Sequence, residues 1–172
     1  MKPLSIPVIG IVGWSGAGKT TFLVNLIAEL KRRGYRVATI KHSRHADVRV
    51  DVPGSDTWRH AEAGSDLVVL ATPRRLAILE QLEESLSLEE VLSRVHGVDI
   101  ILVEGYKFAH IPKVEISRKE RGEKLLSPQE ELIALVTDQV WELPVPQFNL
   151  DDAAGVADLL KGRFLFSHSQ NH

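Results

Sequence analysis

Val8-Ile9-Gly10-Ile11-Val12-Gly13-Trp14-Ser15-Gly16-Ala17-Gly18-Lys19-Thr20 is the stretch on which the fold turns. Val8 to Val12 is an apolar run of strand length, and the eight residues after it have the spacing G-x-x-x-x-G-K-T. That is a phosphate-binding loop in its expected context. Gly13, Gly16 and Gly18 let the backbone curl until several N–H groups point inward, an anion nest reinforced by the positive N-terminal end of the following helix. Lys19 then places an ammonium between terminal phosphates, and the Thr20 hydroxyl has the length to ligate magnesium against them. Thr21 offers a second hydroxyl.

A glycine-rich turn that merely joins strand to helix would need the spacing, the lysine and the upstream strand to coincide by accident. Partitioning and nitrogenase-type ATPases carry an additional lysine just after the first glycine; Trp14 and Ser15 stand there instead, which excludes a signature-lysine mechanism.

The 172 residues suit one domain, expected over residues 1–166 with a flexible tail at 167–172. With 44% hydrophobic and 26% charged residues the composition is that of a globule, and a formal charge of -2 gives no electrostatic reason to expect nucleic acid or an anionic membrane as partner. The absence of cysteine excludes disulfides and thiolate chemistry and fits a cytoplasmic location. No apolar run reaches membrane-spanning length, and the start of the chain, interrupted by Pro7, does not read as a signal peptide.

Along the chain, Thr20 to Arg33 has helical apolar spacing through Phe22, Leu23, Leu26, Ile27 and Leu30, with Gly34 as the stop. Arg36 to Ile40 reads as a second strand, parallel to the first. A short helix over about Asp56 to Glu62 precedes the apolar run Asp66 to Ala71, and Ser87 with Glu90 forms a capping box opening a helix to about Val95. Asp99 to Val103 is continuous enough to be buried on both faces beside the first strand. Leu132 to Val136 is another buried strand, and Ala153 to Leu160 a final helix. Arg118 to Glu130, charged and carrying Gly122 and Pro128, reads as a mobile loop. The alternation gives a three-layer α/β sandwich of the P-loop kind, with a predominantly parallel sheet.

In such a sheet ligands gather at the carboxyl ends of the strands. Glu104 ends the run Ile100 to Val103 on that edge, whereas Asp99 begins it, roughly 16 Å away at ~3.3 Å per residue. Glu104 is therefore the candidate metal acid, with Gly105 giving the backbone room to turn. The long connection after the second strand carries Asp47, Asp51 and Asp56. Asp51 and Asp56 are candidates to hold magnesium-bound waters or orient a hydrolytic water, although Asp56 equally suits a helix N-cap. Lys19, Asp51 and Glu104 are the candidate catalytic residues; Thr20, Asp51, Asp56 and Glu104 are the candidate metal ligands. His42, His45 and His60 match no zinc spacing. Lys41, Arg44 and Arg59 can offer positive charge to an anion, and Trp14 either covers a ligand or packs.

Beyond the loop, Thr39-Ile40-Lys41-His42, Asp51-Val52-Pro53-Gly54-Ser55-Asp56-Thr57-Trp58-Arg59, Ala63-Gly64-Ser65, Leu102-Val103-Glu104-Gly105-Tyr106-Lys107 and Pro112-Lys113-Val114-Glu115 together resemble the molybdopterin-guanine dinucleotide biosynthesis adapter family, MobB. The resemblance runs from Pro7 to about Leu160. It implies a homodimeric GTP-binding protein with weak Mg2+-dependent GTPase activity. Such a protein assists the guanylyltransferase MobA, which joins GMP to molybdopterin, and molybdopterin itself is a further possible ligand. By carry-over, Gly13, Ser15, Gly16, Ala17, Gly18, Lys19, Thr20 and Thr21 bind phosphates, Asp51, Asp56 and Glu104 surround magnesium, and Lys107, Lys113 and Arg118 lie near nucleotide or pterin phosphate.

No N-K-x-D guanine motif is present, and Asp138, after a buried strand, is the residue whose carboxylate can accept from guanine. A second class stays open: a stand-alone phosphotransferase or ligase, like a nucleoside kinase or dethiobiotin synthetase, for which Arg118 to Lys124 has the basic residues of a closing lid.

Overall fold

The structure is a computed structural model that describes residues 6–45, 48–121 and 124–165. Asp47 and the expected tail at 167–172 lie outside the described residues. Contacts divide the chain into two compact units, Met1–His42 with Leu92–His172, and Ser43–Val91. The expected single domain over 1–166 does not anticipate this subdivision.

The first unit is built on six parallel strands: β1 (Val8–Gly13), β2 (Val37–Lys41), β5 (Ile100–Glu104), β6 (Lys113–Ser117), β7 (Leu132–Thr137) and β8 (Gln147–Phe148), in the order β2-β5-β1-β6-β7-β8. As its continuous aliphatic run implies, β5 is buried at every position and pairs with both β1 and β2. Helix α1 (Lys19–Arg32) buries Phe22, Leu23, Leu26 and Leu30. It packs with α4 (Ala153–Phe164) over Ile9, Ile11, Ile100, Leu102, Val114, Ile116, Ala134 and Val136. Arg33 fastens the two helices, donating to the Asp158 carboxylate and to the Ala154 carbonyl. Asp152 caps α4 by accepting from Gly155 N at 2.8 Å.

β6 and β8 are not among the strands expected from the sequence. Lys113-Val114-Glu115-Ile116-Ser117 alternates charged and apolar residues like a half-exposed strand, yet all five are buried. Val114 and Ile116 join the core under the helices, while Lys113 and Glu115 point to the other face of the sheet, where their charges have partners. β8 is two residues long. Arg118 to Glu130, read as one loose loop, includes a 3-10 turn at Lys119–Arg121 and has the Leu126 and Ser127 amides fastened to Glu115.

In the second unit, α2 (Asp56–Glu62) is the expected short helix. The run Asp66 to Ala71 does not join the parallel sheet. It forms β3 (Leu67–Ala71), antiparallel to β4 (Leu76–Glu80), a strand absent from the sequence reading. Thr72 closes the turn: its hydroxyl accepts from the Arg74 and Arg75 amides. The Ser87–Glu90 capping box is present in both directions and opens α3 (Leu88–Leu92), which stops three residues before the expected end. Among the described residues no helix is long and apolar enough to cross a membrane.

Leu26, fully buried between α1 and the sheet, tests this core. Leu26→Ala is expected to cost about 2–5 kcal/mol, since the lost packing and the cavity add, and urea unfolding measures it.

Candidate functional site

The site is assembled at the carboxyl edge of β1. Gly18, at φ 95°, is the N-cap of α1, and no side chain caps this helix. The left-handed backbone there is one that residues with a β-carbon rarely adopt. Its first N–H groups are thus left for a ligand, and with the helix dipole they favour an anion. Lys19 folds back over the loop, its Nζ donating to the Trp14 carbonyl at 2.9 Å. Burial pushes its pKa down and Lys41 pushes the same way, while Glu104 opposes both. An incoming phosphate would supply the negative charge that this desolvated ammonium lacks.

Glu104 stands where the sequence placed it. The parallel register sets it beside Ile11 of β1 and Lys41 of β2. Its Oε1 lies 3.5 Å from Thr20 Oγ1 and accepts from Lys41 Nζ at 2.8 Å. Gly105 then turns the chain away at φ 102°, and a β-carbon there would sit 2.8 Å from His42 Cβ. The close approach lets His42 N donate to Glu104 O at 2.8 Å and brings the His42 ring to 4.2 Å from that of Tyr106. Asp99, the rejected alternative, is at the opposite end of β5, held by Arg36 through its backbone N and its guanidinium, each at 2.7 Å.

Two arginines close over the loop. Arg118 Nε donates to the Ala17 carbonyl at 3.0 Å. The Arg121 guanidinium sits 3.0 Å from where a β-carbon on Gly16 would be. Trp14 does not pack inside. It is 43% exposed, and its indole N–H donates to the Lys124 carbonyl at 2.8 Å. Lys41, offered by the sequence only as a source of positive charge, gains its place beside Glu104 from strand pairing, and Arg121, one of several basic residues in the stretch Arg118 to Lys124, gains its place against Gly16 from a charged loop that carries no periodic signal.

Asp138, at the end of β7, accepts from Lys119 N at 2.8 Å and borders a cavity of about 270 Å³ lined also by Thr137, Gln139, Gln147, Phe148 and Asn149. Lys107 is exposed, with its ammonium 4.8 Å from the Phe108 ring centre. Lys113, expected near phosphate, is instead at the amino end of β6 and 2% exposed, its Nζ donating to the Glu131 carboxylate and to the Ala109 carbonyl. That position gives it to the sheet interior.

Asp51 and Asp56 belong to the second unit. The Asp51 carboxylate accepts from the Val52 amide and the Ser55 hydroxyl, and hydrogen bonding, led by the Thr57 hydroxyl, holds its pKa below the ordinary value. Asp56 is not the helix cap. Ser55 takes that place, accepting from Trp58 N at 3.2 Å, and leaves Asp56 in the first turn. Among the described residues no three His, Asp or Glu side chains cluster to hold a metal. An oxygen pair such as Thr20 and Glu104 suits a hard cation that keeps most of its water.

A family model described as molybdopterin guanine dinucleotide synthesis protein B matches residues 8–138. The molybdopterin-guanine dinucleotide biosynthesis adapter protein of Haemophilus influenzae is 38% identical over 158 residues, 91% of this chain and 88% of that protein. Its counterpart in Escherichia coli K12 is 36% identical over 164 residues, covering 90% and 91%. The crystal structure of Bacillus subtilis MobB is similar to this chain with a TM-score of 0.73 at 25% identity, over 94% of this chain and 99% of that one.

The Lys113–Glu131 pair makes stability depend on pH. Lys113, and after it His110, lower the Glu131 pKa from its ordinary 4.5. A group lowered by folding contributes stability that is complete above its ordinary value and is lost as pH falls through the folded one. Glu131→Gln is expected to unfold at lower urea than the parent at neutral pH, and the two midpoints to converge as pH drops below the carboxylate range.

Proposed function

The chain belongs to the MobB family of molybdopterin guanine dinucleotide synthesis proteins, and on that premise we propose that it is a cytoplasmic adapter that binds GTP with Mg2+ and serves the guanylyltransferase MobA. The observation that carries this reading is the uncapped start of α1 beside Lys19, Thr20 and Glu104. Amides and a desolvated ammonium would receive the phosphates. Thr20 and Glu104 would hold the magnesium ion, whose chemistry is to neutralise phosphate charge. Asp138, at the end of the strand two places from β1, would accept from the guanine N–H groups; the adjoining cavity, which would hold the base, supports that role.

Slow hydrolysis fits this arrangement. Glu104 is paired with Lys41, and a carboxylate already engaged by an ammonium has fewer lone pairs free to orient an attacking water. We take the binding and delivery role ahead of the phosphotransferase reading for that reason.

A homodimer is supported by the hairpin. In its register Leu67, Val69, Leu76 and Ile78 share one face, and each is more than half exposed. A two-stranded ribbon is marginal alone, and an exposed apolar patch is a usual docking surface. A second copy would present the same strip to it.

Lys19→Ala removes charge-assisted contacts worth roughly 1.5–3 kcal/mol, so GTP affinity in calorimetry is expected to fall about 10- to 100-fold. Glu104→Gln should fold normally and lose much of the magnesium dependence of GTP binding, read by titration. GTP with Mg2+ at a hundredfold excess over Kd should stabilise the fold by ~2.7 kcal/mol, and equal protection by ATP would overturn the guanine assignment. Ile78→Glu should shift sedimentation toward the monomer. Guanylylation of molybdopterin by MobA, assayed with and without this chain, tests the adapter role itself, and phosphoryl transfer to a metabolite without MobA would favour the competing class.

A further inference from the structure

Glu115 is fully buried in β6, on the sheet face opposite α1 and α4, and its two oxygens accept from the Leu126 and Ser127 amides at 2.7 and 2.9 Å. Burying a carboxylate is costly unless hydrogen bonds compensate. A leucine would fill this position at no such cost, so the charge is there for what it holds.

What it holds is the chain at residues 126 and 127, two positions after the contact of Lys124 with the phosphate loop. At the outgoing end Arg118 binds the Ala17 carbonyl, and Lys119 N donates to Asp138. Arg121 stands against Gly16 in the middle of the nest. At the returning end the Lys124 carbonyl accepts from Trp14, and two residues later Glu115 takes both amides. Both ends are therefore tied to the sheet or the loop, and two guanidiniums lie beside the anion nest.

We propose that Glu115 is a positioning residue for the nucleotide site: by fastening residues 126 and 127 it presets Arg118 and Arg121 as a cationic rim that selects the triphosphate over the diphosphate. This rests on the nucleotide-binding reading above. The physical cause is preorganisation. Ordering the segment during folding spares that cost on binding, and added positive charge favours the ligand with more negative charge.

GTP and GDP affinities, each with Mg2+, are measured by calorimetry for the parent, Glu115→Gln, Arg121→Ala and the double variant. Glu115→Gln turns one acceptor into a donor facing an amide and is expected to weaken GTP about tenfold and GDP about twofold or less. In the Arg121→Ala background it should add little, because the two changes remove one interaction. Equal losses for GTP and GDP, or losses that simply add, would show Glu115 supporting the fold alone and overturn the proposal. Should Glu115→Gln fail to fold by circular dichroism, Trp14→Phe cuts the neighbouring tie from an exposed side chain. It is expected to reduce the GTP/GDP ratio in the same direction, and an unchanged ratio would overturn the proposal. Lys19→Ala separates the two readings: if it leaves GTP binding intact the nucleotide site is wrong, and if it weakens GTP binding as expected above while the other variants keep full selectivity, only the role of Glu115 is wrong.

Discussion

The register between β1 and β5 is the constraint on which the rest depends. Ile11 faces Glu104 across a parallel ladder, and Lys41 faces it from the other side. A slip of one residue would turn every side chain of β5 to the opposite face, and Glu104 would leave Thr20. The register is held because β5 is buried throughout: Ile100 and Leu102 pack with α1 and α4 on one face, and Ile101 and Val103 are buried on the other. An apolar core thus fixes the position of a charged group at its edge.

The loop itself shows how a missing interaction becomes a site. Helices usually satisfy their first amides with a side chain, as Ser55 does for α2 and Asp152 for α4. At α1 that partner is lacking and Gly18 occupies the cap. The surrounding groups are cationic: Lys19, Lys41, Arg118 and Arg121 all approach the same edge, with the carboxylate of Glu104 among them. With a formal charge of only -2 for the whole chain, this concentration of positive charge is local, produced by folding and not by composition.

Charge is also used inside the sheet. Lys113 with Glu131, and Glu115 with two amides, lie on the face away from α1 and α4. Buried charges of this kind cost stability unless fully partnered, and what they return is definition of position. Here they fix the chain on either side of the arginines that lie over the phosphate loop.

The sequence by itself determined the strand–loop–helix at the amino end, the continuous strand ending in Glu104, the placing of Glu104 and Asp99 at opposite ends of that strand, and the family, because these rest on spacing and on apolar runs whose meaning is local. The full strand order of the sheet, the strand at Lys113–Ser117, the antiparallel hairpin that claims Leu67–Ala71, the transfer of Lys113 from ligand to interior, and the Ser55 cap were decided only by tertiary structure. In each of these cases a residue's role depends on a partner far along the chain: Glu131 for Lys113, the 126–127 amides for Glu115, Lys41 for Glu104. Charged residues read as surface until the chain that buries and pairs them has folded over, and no periodicity within one segment carries that information.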